Sequence, residues 1–442
     1  MYPFAGAPYG VDPAAPTIGA VSEPDDPFGA MGPFMGELRR LMGAQNQWDS
    51  AAQIAAGIAN EGHSESNLDP ADRMAVEELA RVAELRVAGH TGMSLNEPLR
   101  IEPMNRSQWA KRLLDDEREL FGGLADSLRR GLTAQMGELE EMGDGEIPDL
   151  PGIGPLPPQL LEQILSMMGP MMLSMMAGST AGHLAARALG HYELPIPRPA
   201  GKSTTMVLSN VDAFAREWSL PTDDIRLWVC LSDVAHHQVL GIPHVRERLE
   251  GLIGEYTRSF TEDPEVIERQ ARDLGLDDAF DEAGADMAAL QSLAADPDRL
   301  LGAMQSDRQR ALMPEAEALV ATVEGWVDHV LDQVGASLLS EYDRVTEALR
   351  RRRFEAGPQT RFIERLLGLE LSQSTFDRGA AFIDGIVDRA DESALSLLWS
   401  EAEHLPTASE LDAPGLWMAR VGIEARELPF EGDFEIPDAP DF

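Results

Sequence analysis

Apolar residues recur at intervals of three and four over long stretches of the chain, and this helical period limits the fold most. The stretch 69–89, DPADRMAVEELARVAELRVAG, begins with Asp-Pro, ends with glycine and keeps this period throughout. The stretch 105–132 behaves similarly. Strand patterns are sparse, and the best is TTMVLSN at 204–210, where Ser209 or Asn210 is placed to cap a following helix. The sequence therefore predicts a mainly α protein with minor β structure.

Both ends of the chain differ in composition from the helical part. Residues 1–33 are rich in Pro, Gly and Ala, and such a segment buries too little apolar area to offset its ordering entropy. Residues 424–442 are acidic and interrupted by prolines. We therefore expect disordered tails at 1–33 and 424–442.

One apolar stretch has the length of a membrane span. Gln163–Gly182, QILSMMGPMMLSMMAGSTAG, has no charged residue. Pro170 interrupts it, Gly and Ser are frequent, and basic residues do not flank it closely on both sides. Because methionine is a flexible core filler, the stretch predicts a buried, kinked hairpin of helices and no membrane span.

The charge of the chain excludes two classes of partner. Asp and Glu number 76 against 36 Lys and Arg, so the formal net charge is −40. A nucleic-acid binder needs a basic face, and the cytoplasmic membrane surface is itself anionic, so neither is an expected partner. The single cysteine, Cys230, excludes an intrachain disulfide and is expected to be buried and inert. The N-terminal residues have no basic and apolar signal pattern, so we expect a cytoplasmic location.

The sequence LSDVAHHQVL, at 231–240, lies in an apolar helical run that begins near Thr222. Zinc proteases place two histidines four residues apart on a helix, with a glutamate beside the first, so that both imidazoles reach one metal. Here His236 has Ser232 four residues before it, and Asp233 stands at the glutamate position. A serine hydroxyl is a poor zinc ligand. A hydrogen bond between Asp233 and a histidine of the same helix is the alternative that needs no metal.

A second helix carries three carboxylates on one face. Glu324, Asp328 and Asp332 recur every four residues and repel one another unless a cation lies opposite. A metal, the arginine run Arg350–Arg353 and exposure to water are three explanations that the sequence leaves open. His329 neighbours the same face.

Four segments in the second half of the chain resemble actinobacterial zincin-like metallopeptidases. They are IRLWVCLSDVAHHQVLGIPHVRERLEGLI, LVATVEGWVDHVLDQV, ALRRRRFEAGPQTRFIERLLGLELSQSTFDRGAAFIDGIV and LPTASELDAPGLWMARV. The resemblance implies a zincin-like helical domain at 205–423. An N-terminal helical region, with the Gly/Met-rich hairpin, precedes it at 34–204.

The resemblance also implies a set of site residues. The family pattern is His-Glu-x-x-His with a downstream glutamate in an EG(W/Y)xDH helix, which binds zinc. His236 matches the second histidine and Glu324 the third metal ligand. Asp233 stands at the catalytic glutamate, and Ser232 replaces the first histidine. Either Asp328 or His329 is a candidate substitute for the lost ligand.

Three functions follow as hypotheses. The first is a pseudo-peptidase, a zincin-derived scaffold that binds a protein or peptide partner without cleaving it. The second is an active zinc-dependent peptidase or hydrolase with a non-standard ligand set and Asp233 as base. The third is a structural or assembly subunit that recruits partners through its tails. No phosphate-binding loop, dinucleotide-binding turn or serine nucleophile motif is present in the sequence.

Overall fold

A computed structural model describes residues 47–65, 67–95, 97–127, 130, 158–198, 203–260, 301–302, 305–355 and 357–424. The tails predicted at 1–33 and 424–442 lie outside these ranges, apart from residue 424. The helices and strands named below are α1 (Gln47–Ala59), α2 (Pro70–Thr91), β1 (Arg100–Met104), α3 (Arg106–Asp116), α4 (Pro158–Arg187), β2 (Ser203–Val207), α5 (Leu208–Glu217), α6 (Thr222–Leu240), α7 (Pro243–Arg258), α8 (Asp307–Gly335), α9 (Tyr342–Phe354), α10 (Pro358–Leu366), α11 (Gln373–Arg389), two 3-10 helices (Glu392–Trp399 and Ala402–His404), α12 (Ala408–Leu411) and α13 (Pro414–Val421). The mainly α prediction with minor β structure is confirmed.

Helix α2 begins where its sequence signals place it, and it continues past the predicted stop at Gly89 to Thr91. The Asp69 side chain caps its N-terminus, and Gly92, with φ of 69°, ends it in the left-handed conformation that glycine tolerates best. Val76 and Val87 are fully buried, whereas Leu85 is 72% exposed. The helix packs mainly against α6. The apolar period was therefore a correct indicator of a helix but an incomplete indicator of the buried face.

The two strands pair in parallel, with Arg100 opposite Ser203 and Met104 opposite Val207. The sequence predicted the second strand and missed the first. Strand β1, RIEPM, contains a proline, and its partner lies about a hundred residues away in the chain, so local pattern gives little indication of it. The pair joins the segment before α3 to the segment before α5.

The predicted caps of the helix after β2 have other roles. Helix α5 begins at its N-cap Val207 without a side-chain hydrogen bond. The amide nitrogen of Asn210 instead donates to the carbonyl oxygens of Ala185 and Ala188, at 2.9 and 2.7 Å. The Ser209 hydroxyl donates to the carboxylate of Glu65. Asn210 therefore satisfies carbonyl groups at the end of α4, which otherwise lack a partner in the helix.

The Gly/Met-rich stretch is one continuous helix, α4, and the predicted hairpin is wrong. Pro170 lies inside the helix without ending it. A Cβ on Gly178 would lie 2.7 Å from the carbonyl oxygen of Ala51, and Gly182 meets α1 as closely, so the two helices touch through their backbones. This close packing accounts for the small residues in the stretch. In the described ranges, no helix is long and apolar enough to cross a membrane.

Helix α6 lies at the centre of the core, packed against α2, α5 and α8. Its middle turns are buried on nearly every side, including Cys230, whose thiol has a pKa raised by burial, as expected of an inert cysteine. The predicted boundary at 204/205 falls inside β2, and one hydrophobic cluster contains residues from both sides of it.

Helices α8 and α11 cross at glycines. A Cβ on Gly379 would overlap the carbonyl oxygen of Ala321, and one on Gly325 would overlap the backbone of Gly379. No side chain separates the two helices at this point. The crossing therefore holds the backbone beside Glu324 in place.

Candidate functional site

The imidazole of His236 and the carboxylate of Glu324 meet in the protein interior, bridging α6 and α8. His236 Nε2 lies 3.1 Å from Glu324 Oε1, and both side chains are less than a tenth exposed. His236 Nδ1 lies 2.9 Å from the carbonyl oxygen of Ser232. Both ring nitrogens therefore face oxygen atoms that accept hydrogen bonds, an arrangement that favours the doubly protonated imidazole.

The electrostatics agree with this protonated imidazole. Burial opposes the charge on His236, but the adjacent Glu324 carboxylate and the Ser232 carbonyl outweigh it and raise the pKa of His236 above its ordinary value. The pair is therefore a buried ion pair.

Arg353 connects the ion pair to the other carboxylates on the same face of α8, Asp328 and Asp332. Its guanidinium donates two hydrogen bonds to the Asp328 carboxylate, with N–O distances of 2.7 and 2.8 Å. The guanidinium also lies 3.9 Å from Glu324 Oε2. Arg350 reaches Asp332 at 3.6 Å. A metal, arginine pairing and exposure to water were the three explanations for this row of carboxylates, and the structure shows arginine pairing. Asp328 is thus held by an arginine and does not replace a metal ligand beside His236.

Asp233 accepts hydrogen bonds from the backbone of a neighbouring turn and not from a histidine of its own helix. Its oxygens accept hydrogen bonds from the backbone N–H of His191, at 3.1 Å, and of Tyr192, at 3.4 Å. Gly190 makes room for this carboxylate, because a Cβ there would lie 2.6 Å from Asp233 Oδ1. Burial raises the pKa of Asp233 to about 7, against the effect of these hydrogen bonds and of the His236 charge.

Tyr192 covers the face of the His236 ring. The two rings stack with centroids 5.4 Å apart and an interplanar angle of 14°. The Tyr192 hydroxyl lies 2.9 Å from Nδ1 of His237. Burial and the charge of Arg246 lower the pKa of His237 to about 4, so this histidine is neutral beside its charged neighbour. The role of Tyr192 was not predicted, because this residue lies in a turn without a recognisable sequence motif.

A pocket opens beside the ion pair, with a cavity volume of about 90 Å³. Its walls combine apolar and charged side chains, including Trp228, Leu349, Phe376, Glu193, Arg352 and Glu364. Arg352 donates to Glu193 at 2.9 Å, and Arg187 does so at 3.0 Å. Burial raises the pKa of Glu364 to about 7.

The residues at the family's metal positions do not fit a zinc ion. The hydroxyl of Ser232 lies 3.4 Å from Nδ1 of His236, on the ring edge away from Nε2, the nitrogen that faces Glu324. Only one imidazole and one carboxylate therefore converge, whereas zinc sites in enzymes use three protein ligands. The guanidinium of Arg353, 3.9 Å from Glu324 Oε2, adds a positive charge that further opposes a divalent cation.

His329 lies in a separate cluster. Its Nε2 is 2.9 Å from Glu392 Oε1, and Nε2 of His90 is 3.0 Å from the same oxygen. His329 follows Glu324 by five residues on α8, which places the two on different faces of the helix. Its suggested role as a substitute ligand beside His236 is therefore not supported by its position. His90 and Glu392 were not predicted as site residues, because neither lies in a recognisable sequence motif.

The protein is mainly helical, and two of its helices bring His236 and Glu324 together. Comparison with known families identifies the class of protein that has these features. A family model for zincin-like metallopeptidases matches residues 47–418, and the chain belongs to this family. The match extends through most of both predicted regions, 34–204 and 205–423, so the family's fold includes the helices before residue 205.

A solved structure has the same fold. It is described as a "putative hydrolase with a novel fold from Chloroflexus aurantiacus", with a TM-score of 0.55 and 20% sequence identity over 85% of this chain and 99% of that one. No curated protein matches the chain.

Proposed function

We propose that this protein is a pseudo-peptidase that uses the pocket beside His236 to bind a peptide segment of a partner protein. The observation that carries the proposal is the ion pair between His236 and Glu324, which stands at the family's metal positions. A cytoplasmic location belongs to the same proposal and is supported by the single, buried cysteine.

The residues that would run hydrolysis are engaged in other contacts. A general base must reach the proton that it removes, but the oxygens of Asp233 accept hydrogen bonds from the backbone of the 190–192 turn. Ser232 adds no strong metal donor. Because His236 and Glu324 do not complete a three-ligand zinc site that would activate water, and because its carboxylate already accepts hydrogen bonds, Asp233 has no hydrolytic role in this proposal.

The pocket has the mixed character that suits a peptide. Trp228 and Phe376 offer apolar area for side chains, while Glu364 offers a carboxyl group to main-chain N–H donors. The arginines of the wall are neutralised by Glu193 and Asp328, so the pocket presents no strong excess of positive charge. A neutral, extended segment of a partner protein fits these walls better than a strongly anionic ligand does.

The test uses fluorescein-labelled β-casein, an unstructured protein, as both ligand and substrate. With zinc added, we expect the anisotropy of casein to rise on binding while gel electrophoresis shows no cleavage. Phe376→Ala and Glu364→Gln should each weaken binding by about tenfold, or about 1.4 kcal/mol. Leu416→Ala is the control, because this side chain is 58% exposed and lies outside the pocket.

Two outcomes would overturn the proposal. Cleavage that His236→Gln abolishes would establish the active hydrolase instead. Absence of casein binding, or binding that both pocket variants leave unchanged, would remove the peptide-binding role. Circular dichroism melts of each variant separate loss of binding from loss of fold.

A further inference from the structure

Three side chains from distant parts of the chain converge at one point of the surface, away from the pocket. His90 lies in the last turn of α2, His329 in α8 and Glu392 in the first turn of the 3-10 helix that follows α11. Both Nε2 atoms lie within 3.0 Å of the same oxygen, Oε1 of Glu392. The ring centroids of the two histidines are 6.4 Å apart.

We propose that His90, His329 and Glu392 form a binding site for a divalent transition metal of the zinc type. The two imidazole nitrogens and the carboxylate oxygen all lie within 4.8 Å of one another. Two histidines and a carboxylate are the protein ligands of many catalytic zinc sites, with ligand distances of about 2.0–2.2 Å. Imidazole ligands favour zinc, copper and nickel over magnesium or calcium, which prefer sites made of oxygen atoms alone.

The geometry needs little change to accept the ion. The side chain of Glu392 is 49% exposed, so it can withdraw slightly and let a cation enter between its oxygen and the two rings. His90 and His329 are 22% and 11% exposed, which keeps their rings packed while Nε2 faces the opening. Water from the open side supplies the remaining coordination position.

This site is independent of the proposed function. The cluster contains neither His236 nor Glu324, and it lies on a different face of α8 from Glu324. A bound ion would connect α2, α8 and the segment after α11. Metal binding to the folded chain alone would therefore raise its melting temperature.

The test is calorimetric titration of zinc chloride into the metal-free full-length chain, with magnesium chloride as the non-binding comparison. We expect one zinc site, and His90→Gln, His329→Gln and Glu392→Gln should each weaken zinc binding by at least about tenfold. His404→Gln removes a histidine that contacts Ser400 outside the cluster and should leave affinity unchanged. His236→Gln should also leave this affinity unchanged.

A second readout is the visible spectrum of the cobalt(II)-loaded chain, which reports coordination by the protein without any activity assay. Melts of metal-free variants check that each one folds. Absence of zinc binding, or affinity that is unchanged in all three cluster variants, would overturn the proposal. Zinc binding that only His236→Gln removes would also overturn it and would place the ion in the central pocket.

Discussion

His236 and Glu324 lie 88 residues apart in the chain and form a buried hydrogen-bonded pair at 3.1 Å. The separation of the two atoms is close to that of neighbouring ligands around a zinc ion with bonds of about 2.0–2.2 Å. The two residues that match the family's ligand positions thus lie at the distance expected of ligands to one metal, and a third metal ligand is missing. This relationship supports the first prediction, which concerns Ser232.

Ser232→His should create zinc binding at the central site. The new imidazole would lie four residues before His236 on the same face of α6, and the two could share an ion with Glu324. We expect zinc affinity to rise by at least about tenfold, or about 1.4 kcal/mol, measured by competition with a chelating dye. The measurement belongs in a His329→Gln background, so that the surface cluster does not contribute. Ser232→Ala is the matched control, and equal affinity in the two variants would contradict the prediction.

Asp233→Asn should destabilise the protein. With the amide oxygen in the place of Oδ1, the new NH₂ group takes the place of Oδ2 and faces the backbone N–H of His191, so the hydrogen bond from His191 to this atom is lost. The expected decrease in the free energy of unfolding is about 1–3 kcal/mol, measured by urea denaturation at pH 8. Asp384→Asn, an exposed change on α11, should stay within about 0.5 kcal/mol of the parent. An unchanged Asp233→Asn variant would show that the 190–192 turn does not depend on this carboxylate.

Gly379→Ala should separate helices α8 and α11. The added methyl group overlaps the carbonyl oxygen of Ala321, which is backbone and has little freedom to move. Overpacking of this kind typically costs about 1–3 kcal/mol, and thermal or urea unfolding measures it. Gly251→Ala in α7 is the control, because nothing lies within 4 Å of its added Cβ. That change should stabilise by about 0.5–1 kcal/mol, since alanine is the better helix former. A neutral Gly379→Ala would mean that the crossing is looser than described.

His237 should contribute a loss of stability as the pH falls. Its pKa is lowered from 6.5 to about 4 in the folded chain, so below pH 6.5 the unfolded chain binds a proton at this residue and the folded chain does not. The His237 contribution to the free energy of unfolding therefore falls by roughly 3 kcal/mol as pH falls from 7 to below 4, whereas the raised pKa values of Asp233 and Glu364 act in the opposite direction.

The test is the difference in unfolding free energy between parent and His237→Gln across this range. The glutamine still offers an acceptor to the Tyr192 hydroxyl but does not titrate. We expect the free energy of unfolding of His237→Gln to rise relative to that of the parent as the solution is acidified. His63→Gln, at an exposed position, should follow the parent. Parallel curves for the parent and His237→Gln would contradict a buried neutral histidine.

The sequence predicted the helices well because their information is local. The apolar period and the Asp-Pro start place the beginning of α2, whereas its end at Gly92 lies beyond the predicted stop at Gly89. Helix α4 was misread because proline and glycine ordinarily break helices, and the close approach of Gly178 to Ala51 is a tertiary property. Strand β1 was missed for the same reason, since its partner β2 is distant in the chain.

The candidate site was likewise predictable in part, because some of its contacts are recorded in a sequence pattern and others depend on tertiary packing. The family pattern brought His236 and Glu324 together correctly, because that pattern records a tertiary contact. The direction in which Asp233 points could not be read from its spacing, since its hydrogen-bond partners belong to the 190–192 turn. The meeting of His329 with His90 also depends on how α2 packs against α8.

The crossing of α8 and α11 has a consequence for redesign. Since the two main chains touch at Gly325 and Gly379, the spacing of this pair is set by atoms that every amino acid shares and not by the chemistry of neighbouring side chains. We therefore expect that metal-ligating side chains on α8 can be exchanged one at a time while the distance between α8 and α11 stays the same. This chain is accordingly a good host for installing new metal chemistry.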